Sequence, residues 1–237
     1  MTYTIIARCP RRGELGVAIA TYSLGVGGLC PQIASGIGAM SSQAFVNPEL
    51  RPLAINLLSA GRPAASALDG TMQSDPLREF RQVGIIDREG RAAVFTGKST
   101  RSYAGHQIGP NYAVFGNVLA GDRVLAAMSA AFERSEDYQL AERLVGSLEA
   151  GRHAGGQTGG SGPLPERSAS VLVHGSREVA ELDLRVDMHA DAVGELRRLF
   201  DHYDPYVAYH RQRWLDPASA QPQEAFVAAL AQQRSKR

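Results

Sequence analysis

Three segments of this chain share one plan: an apolar run, a short charged or glycine-containing turn, and a second apolar run. The first joins Ile5–Ala7 to Gly16–Ala20 through Pro10-Arg11-Arg12-Gly13-Glu14, and the second joins Val83–Ile86 to Ala92–Phe95 through Asp87-Arg88-Glu89-Gly90. The third joins Ala169–Val173 to Val179–Met188 around Gly175-Ser176. Each is a hairpin signature, although the three differ too much in sequence to be true repeats. A further apolar strand is predicted over Ile33–Phe45, and another over Tyr112–Phe115. Between the hairpins lie helical pairs. Asn47-Pro48 opens the first, which carries Leu53, Ile55, Leu57 and Leu58 and stops at Gly61 before a helix from Pro63 to about Ser74. The second pair carries Val124, Leu125, Met128 and Phe132, then Leu140, Leu144 and Leu148, at helical spacing. A last helix is predicted over Ala192–Tyr203, after a loose glycine-rich loop at Gly155–Gly162. Strands that arrive in hairpins and alternate with helical pairs imply antiparallel sheets covered by helices, an α+β layered domain. A parallel doubly wound sheet fits less well, because it needs single strands alternating with helices.

Composition narrows the function classes. At 237 residues the chain fits one large domain with a short appendage: residues 1–203, followed by a helical tail over 204–237. A net charge of +1 gives no reason to expect nucleic acid or an anionic membrane as partner. No apolar stretch approaches the roughly 20 residues that a membrane span requires. The start lacks the basic and apolar regions of a signal peptide, and Cys9 and Cys30 stand in no metal or redox spacing. The reading is a cytoplasmic protein with both thiols free and buried. Lys98 and Lys236 are the only lysines, which limits the cations that could assist a reaction to arginine.

The chain starts Met1-Thr2-Tyr3-Thr4-Ile5-Ile6-Ala7, a strand with threonine behind the first Met. Threonine is small enough that such a Met is normally removed. Removal would put a hydroxyl nucleophile and an α-amine on one residue. An amine with an ordinary pKa of about 7.7–8.0 can take the hydroxyl proton near neutrality. Met-Thr starts are also common in proteins that do no such chemistry.

Several segments together carry a resemblance. They are Thr2–Arg8, Gly13–Ala18, Val26-Gly27, Ser42–Phe45 with Asn47-Pro48, Thr96-Gly97, Ala104-Gly105-His106, Gly116–Gly121 and Asp183–Asp187. In these, residues 2 to 203 resemble the uncharacterised bacterial family known as domain-of-unknown-function family 1028. The resemblance implies an Ntn-hydrolase-like fold, a four-layer αββα sandwich of two antiparallel sheets between helical layers. It implies no settled reaction. Thr21-Tyr22 stands where family members often carry Ser followed by Lys or His. The 155–167 loop is longer and lacks a Gly-Asp pair, and the tail after Tyr206 is at most a shortened form of the segment some members carry there.

On this resemblance Thr2 becomes the candidate nucleophile, with Ser42, Gln43 and Asn117 as candidate donors to the oxyanion or to the amine. Thr21, Asn47 and His106 are the candidate substrate contacts. His106 is read as a residue of a glycine-rich loop. No lysine is placed to assist Thr2, so asparagine and backbone donors would carry that task. The expected activity is hydrolysis of an amide bond in a small non-protein substrate, without metal or other cofactor. The alternatives are a binding or scaffold protein that keeps the fold without the chemistry, or hydrolysis through a side chain such as Ser42. Other patterns read blandly. Ala92–Ser99 resembles a phosphate loop, but its middle is strand and no helix follows. Asp183, Arg185, Asp187 and His189 alternate as the solvated face of a strand. Tyr203, Tyr206, Tyr209 and Trp214 are expected to pack in the core or at a homodimer interface.

Overall fold

The computed structural model describes residues 1–177 and 179–234. Among these residues twelve strands form two principal sheets and one small hairpin. In chain order the first hairpin is β1 (Thr2–Arg8) and β2 (Leu15–Thr21), followed by the one-turn helix α1 (Val26–Leu29). The expected long strand at Ile33–Phe45 is instead a second hairpin, β3 (Pro31–Ala34) and β4 (Gly38–Ala44). Gly36 lies between them at φ 66°, a left-handed conformation that glycine takes without steric cost. Helices α2 (Leu50–Ser59) and α3 (Ala64–Gln73) follow, then β5 (Arg81–Asp87) and β6 (Ala92–Thr96). Next come β7 (Gly105–Gly109), β8 (Tyr112–Asn117), α4 (Arg123–Arg134) and α5 (Leu140–His153). The glycine-rich stretch after α5 forms a small hairpin, β9 (Gln157–Gly159) with β10 (Gly162–Leu164). The chain continues with β11 (Ser168–His174), β12 (Ala180–Val186), α6 (Ala192–Leu215) and α7 (Gln223–Arg234).

The larger sheet has the order β12-β11-β2-β1-β8-β7 and the smaller β3-β4-β5-β6, with every ladder antiparallel. Helices α2 and α3 cover the outer face of the small sheet, and α4 and α5 cover that of the large one. The inner faces pack on each other through β1, β2, β7 and β8 against β3 to β6. This is the four-layer αββα sandwich. Alternation along each strand sorts its side chains between layers. Ile6, Leu15, Val17, Ile33, Ala39, Ile86, Ala113 and Phe115 meet between the sheets, while Met40, Val83 and Ile85 turn to Leu50, Ala54 and Leu68 of the helices. Gly84 lets the Phe115 ring settle across the gap, since a Cβ there would lie 2.4 Å from a ring carbon.

Residues 1–198 form one compact unit and residues 199–237 a second. Helix α6 passes Tyr203, where it was expected to stop, and continues through Pro205 to Leu215. Within the second unit Tyr209 stacks on Phe226 with centroids 4.0 Å apart, and Tyr206 meets the same ring edge-on at 4.9 Å.

Candidate functional site

Strand β1 lies in the middle of the large sheet, between β2 and β8. Thr4 and Ile6 face the small sheet, so the two-residue period sends the Thr2 side chain the same way. The register sets Thr2 opposite Thr21 of β2 and Asn117 of β8, and Thr21 opposite Ser168 of β11. One row across four strands is therefore polar: Ser168, Thr21, Thr2, Asn117. All four are buried, Thr2 being 5% exposed. Thr2 Oγ1 lies 3.2 Å from Thr21 Oγ1, and the Thr21 hydroxyl donates to the Met1 carbonyl. Ser168 Oγ accepts the Val26 amide at 3.2 Å and donates to the Ser23 carbonyl at 2.8 Å, fixing the chain that leaves β2.

Beneath this row a network of amides joins the two sheets. Gln82 of β5 directs its Nε2 to the Gly116 and Gly105 carbonyls at 2.9 and 3.1 Å and to Thr96 Oγ1 at 3.0 Å. Backbone carbonyls only accept, so the Gln82 orientation is fixed and its Oε1 must be the acceptor for its neighbours. Those neighbours are Gln43 Nε2 at 2.9 Å and Asn117 Nδ2 at 3.1 Å. Gln43 in turn presents Oε1 to the Thr4 hydroxyl at 2.5 Å. Every amide in the chain of contacts is thus oriented by two carbonyls of β7 and β8.

A cavity of about 150 Å³ opens at this end, lined by Met1, Asn117, Val118, Arg101, Ser23, Ala44 and Phe45. Two of these carry left-handed backbones without being glycine, Ala44 at φ 71° and the β-branched Val118 at φ 56°. Such conformations cost of order 1–3 kcal/mol each and gather at functional sites. The Val118 amide donates to the Arg101 carbonyl at 3.2 Å, which anchors the loop carrying that arginine. Arg101 also lies over the Phe45 ring, 5.9 Å from its centroid. Burial and then the Arg101 charge pull the Met1 α-amine down from 8.0 to about 6, against a smaller opposite pull from Cys30. Burial pushes the Cys30 thiol up to about 12, so it stays protonated at neutral pH.

Of the residues expected at the site, Thr2, Thr21 and Asn117 come together. Gln43 lies one layer deeper, 1% exposed, and acts on Thr4 and Gln82 without lining the cavity. Ser42 is not brought to Thr2. Gln43 points between the sheets, so its neighbour in the strand points to the helical layer, where Ser42 Oγ accepts the Asn47 amide at 3.4 Å. Asn47 is held outside the cluster as well. Its Oδ1 accepts the Glu49 amide at 3.1 Å and its Nδ2 reaches Asp75 at 3.4 Å, ahead of a helix that starts two residues later than expected. His106 lies in edge strand β7 instead of a loop, largely exposed, with Nδ1 3.2 Å from Thr96 Oγ1, and partial desolvation lowers its pKa. Three contributors escaped the sequence reading: Arg101, Gln82 and Ser168. Only Arg101 had left a trace there, in the scarcity of lysine.

Among the described residues no three His, Cys, Asp or Glu side chains converge as metal ligands, and no helix is long and apolar enough to cross a membrane. Comparison with curated proteins gave no match. Among solved structures, protein SPO2555 from Silicibacter pomeroyi, itself assigned to DUF1028, superposes with a TM-score of 0.78. It is 30% identical over 85% of this chain and 88% of that one. Weaker likenesses include Anbu (ancestral beta-subunit) from Yersinia bercovieri, with a TM-score of 0.40 and 15% identity over 97% of both chains. Another is HslV from Trypanosoma brucei, with a TM-score of 0.38 and 11% identity over 72% of this chain and 98% of that one. The model of the family of unknown function DUF1028 matches residues 2–196, the whole of the layered unit up to the first turns of α6, and the chain belongs to that family.

Proposed function

We propose that this protein is an N-terminal-nucleophile amidohydrolase in which removal of Met1 frees Thr2 to cleave an amide bond in a small non-protein substrate. The observation that carries the reading is the position of Thr2 at the open end of the central strand, in a buried polar row that borders a cavity. Burial and the Arg101 charge, which lower the Met1 amine, would act in the same direction on a Thr2 amine and favour the neutral form that can serve as base.

In the reaction, Thr2 Oγ1 attacks the substrate carbonyl carbon while the amine takes the hydroxyl proton. The tetrahedral intermediate collapses with cleavage of the C–N bond, and the same proton passes to the departing amine. Water then hydrolyses the Thr2 ester, with the α-amine again as base, and releases the carboxylic acid. Asn117 spends one of its two amide hydrogens on Gln82 and keeps the other for the oxyanion. Thr21 orients Thr2, and burial together with Arg101 favours the neutral amine.

The experiment is an intact-mass measurement on native protein, followed by a screen of small amides with wild type and Thr2→Ala. Loss of one methionine mass, with turnover that disappears in Thr2→Ala, is the expected result. Retention of Met1 in native cells would sink the reading and favour a binding protein on the same scaffold.

A further inference from the structure

The far end of β1 borders a second and larger cavity, of about 340 Å³, that shares no lining residue with the first. Its volume lies within the range of about 300–1,000 Å³ typical of small-molecule sites. The strand rise puts Arg8 about 20 Å from Thr2, so the two cavities are separate sites on one strand.

Two arginines from different parts of the chain meet at this cavity, Arg11 and Arg143. Arg143, in the first turn of α5, is 9% exposed. Its Nε and Nη2 donate to the Phe132 carbonyl at 3.4 and 3.0 Å, and its guanidinium lies 3.8 Å over the Phe132 ring. That carbonyl belongs to the last turn of α4, where backbone donors run out, and it shares the Ser135 hydroxyl at 3.1 Å with the arginine. One edge of Arg143 therefore closes a helix. The other edge has no such task, and no carboxylate lies within ion-pairing distance of it among the described residues. Arg11 is pinned in the same fashion, Nη2 donating to the Glu136 carbonyl at 2.7 Å.

A guanidinium withdrawn from water without a counter-ion is costly unless an anion supplies one. Burial pulls the Arg143 pKa below its ordinary value, Cys9 and then Glu136 pull the other way, and Arg11 adds a smaller lowering. Of the two carboxylates bordering the cavity, Glu133 is engaged by the Tyr112 hydroxyl at 2.6 Å. Pro10, Pro110 and Phe132 supply an apolar wall. Arginine's planar fork matches a carboxylate in two-point contact.

We propose that this cavity is a binding site for a small organic carboxylate, gripped by Arg143 and Arg11 with its apolar body against Pro10, Pro110 and Phe132. The test is calorimetric titration of the full-length protein with benzoate and with benzamide, the uncharged analogue of the same shape. Benzoate is expected to bind and benzamide to bind about tenfold or more weakly, the effect of losing a charge-assisted hydrogen bond. Arg11→Gln, at an exposed side chain, and Arg143→Gln should each weaken benzoate by about tenfold. Circular dichroism checks that both remain folded, and should Arg143→Gln unfold, Arg11→Gln decides. Arg101→Gln, in the other cavity, should bind benzoate as wild type does. Equal binding of the two compounds, no binding at millimolar concentration, undiminished binding by Arg11→Gln, or loss of binding in Arg101→Gln would each overturn the assignment.

Discussion

The α-amine of a chain that retains Met1 offers a direct test of the electrostatics around Thr2. Its pKa is about 6 in the folded chain against an ordinary 8.0, with burial the larger cause and Arg101 the second. The unfolded chain takes up its proton at the higher value, the folded chain only at the lower one. Between the two, the unfolded state binds more protons, so stability falls as pH drops through this window and is flat above it. Two units at about 1.36 kcal/mol each give roughly 2–3 kcal/mol, toward the low end because some solvent reaches the amine. Chain with Met1 retained can be made by cell-free synthesis with methionine aminopeptidase inhibited. Urea unfolding from about pH 5 to about pH 9 would be run on this chain and on its Nα-acetylated form, which cannot titrate there. His106 and His174, both lowered by burial, also favour folding as pH rises, but equally in the two forms. The difference between the two stability profiles therefore isolates the amine. Arg101→Gln should raise the amine part of the way toward its ordinary value, since burial remains. Parallel profiles, or an amine that titrates near its ordinary value by NMR, would refute the reasoning and with it the base assigned to the reaction.

Gln82→Ala should cost about 4 kcal/mol or more in urea unfolding, because it strands the buried Gln43 and Asn117 amides and the Gly116 carbonyl, at about 1–3 kcal/mol each. A loss below about 1 kcal/mol would mean that the network is not formed. Gly84→Ala should lower the melting temperature through a cost of about 1–3 kcal/mol, as its Cβ would fall 2.4 and 2.6 Å from atoms of the Phe115 ring. An unchanged melting temperature would show that the inter-sheet gap has room. Ala44→Gly should stabilise by about 0.5 kcal/mol, since relief of a left-handed alanine, about 1–2 kcal/mol, exceeds the added backbone entropy of glycine. Destabilisation in chemical unfolding would count against that backbone conformation.

The layered architecture was legible because hairpins and helical pairs are local and the apolar residues mark them. Where local pattern was poor, the reading failed. Gly105-His106-Gln107-Ile108-Gly109 has no apolar alternation, and it becomes strand β7 only because β8 offers it an edge to pair with. The run from Ile33 looks like one strand in sequence because nothing in it says which of its glycines turns left-handed, and Gly36 does. The pairing of Thr2 with Thr21 could be inferred from the hairpin that joins them. Ser41, Ser42 and Gln43 were ambiguous for a different reason. A strand buried on both faces hides its parity, so sequence cannot say whether Ser42 or Gln43 meets the other sheet. Gln82, Arg101 and Ser168 reach the site through sheet-on-sheet packing and long-range pairing, which no local spacing encodes.

The same inter-sheet interface is built in two ways, and the division bears on function. Toward the far end of β1 it is apolar, with Ile6, Leu15, Val17, Ile86, Ala113 and Phe115 packed together, and every residue obeys its local preference. Toward Thr2 it is polar, and there local preferences are overridden. Thr4, Gln43, Gln82 and Asn117 give up water for hydrogen bonds to one another, and Ala44 and Val118 hold left-handed backbones beside them. An apolar filling of the same volume would avoid the risk of unsatisfied amides, since a partly satisfied network is worse than none. What the polar filling adds is orientation. Two backbone carbonyls fix Gln82, Gln82 fixes Asn117 and Gln43, and Gln43 fixes Thr4, two residues along the strand from Thr2. Stability is thus drawn from the apolar half, and the polar half holds the Thr2 row in one geometry, which is the preorganisation that the proposed reaction would need.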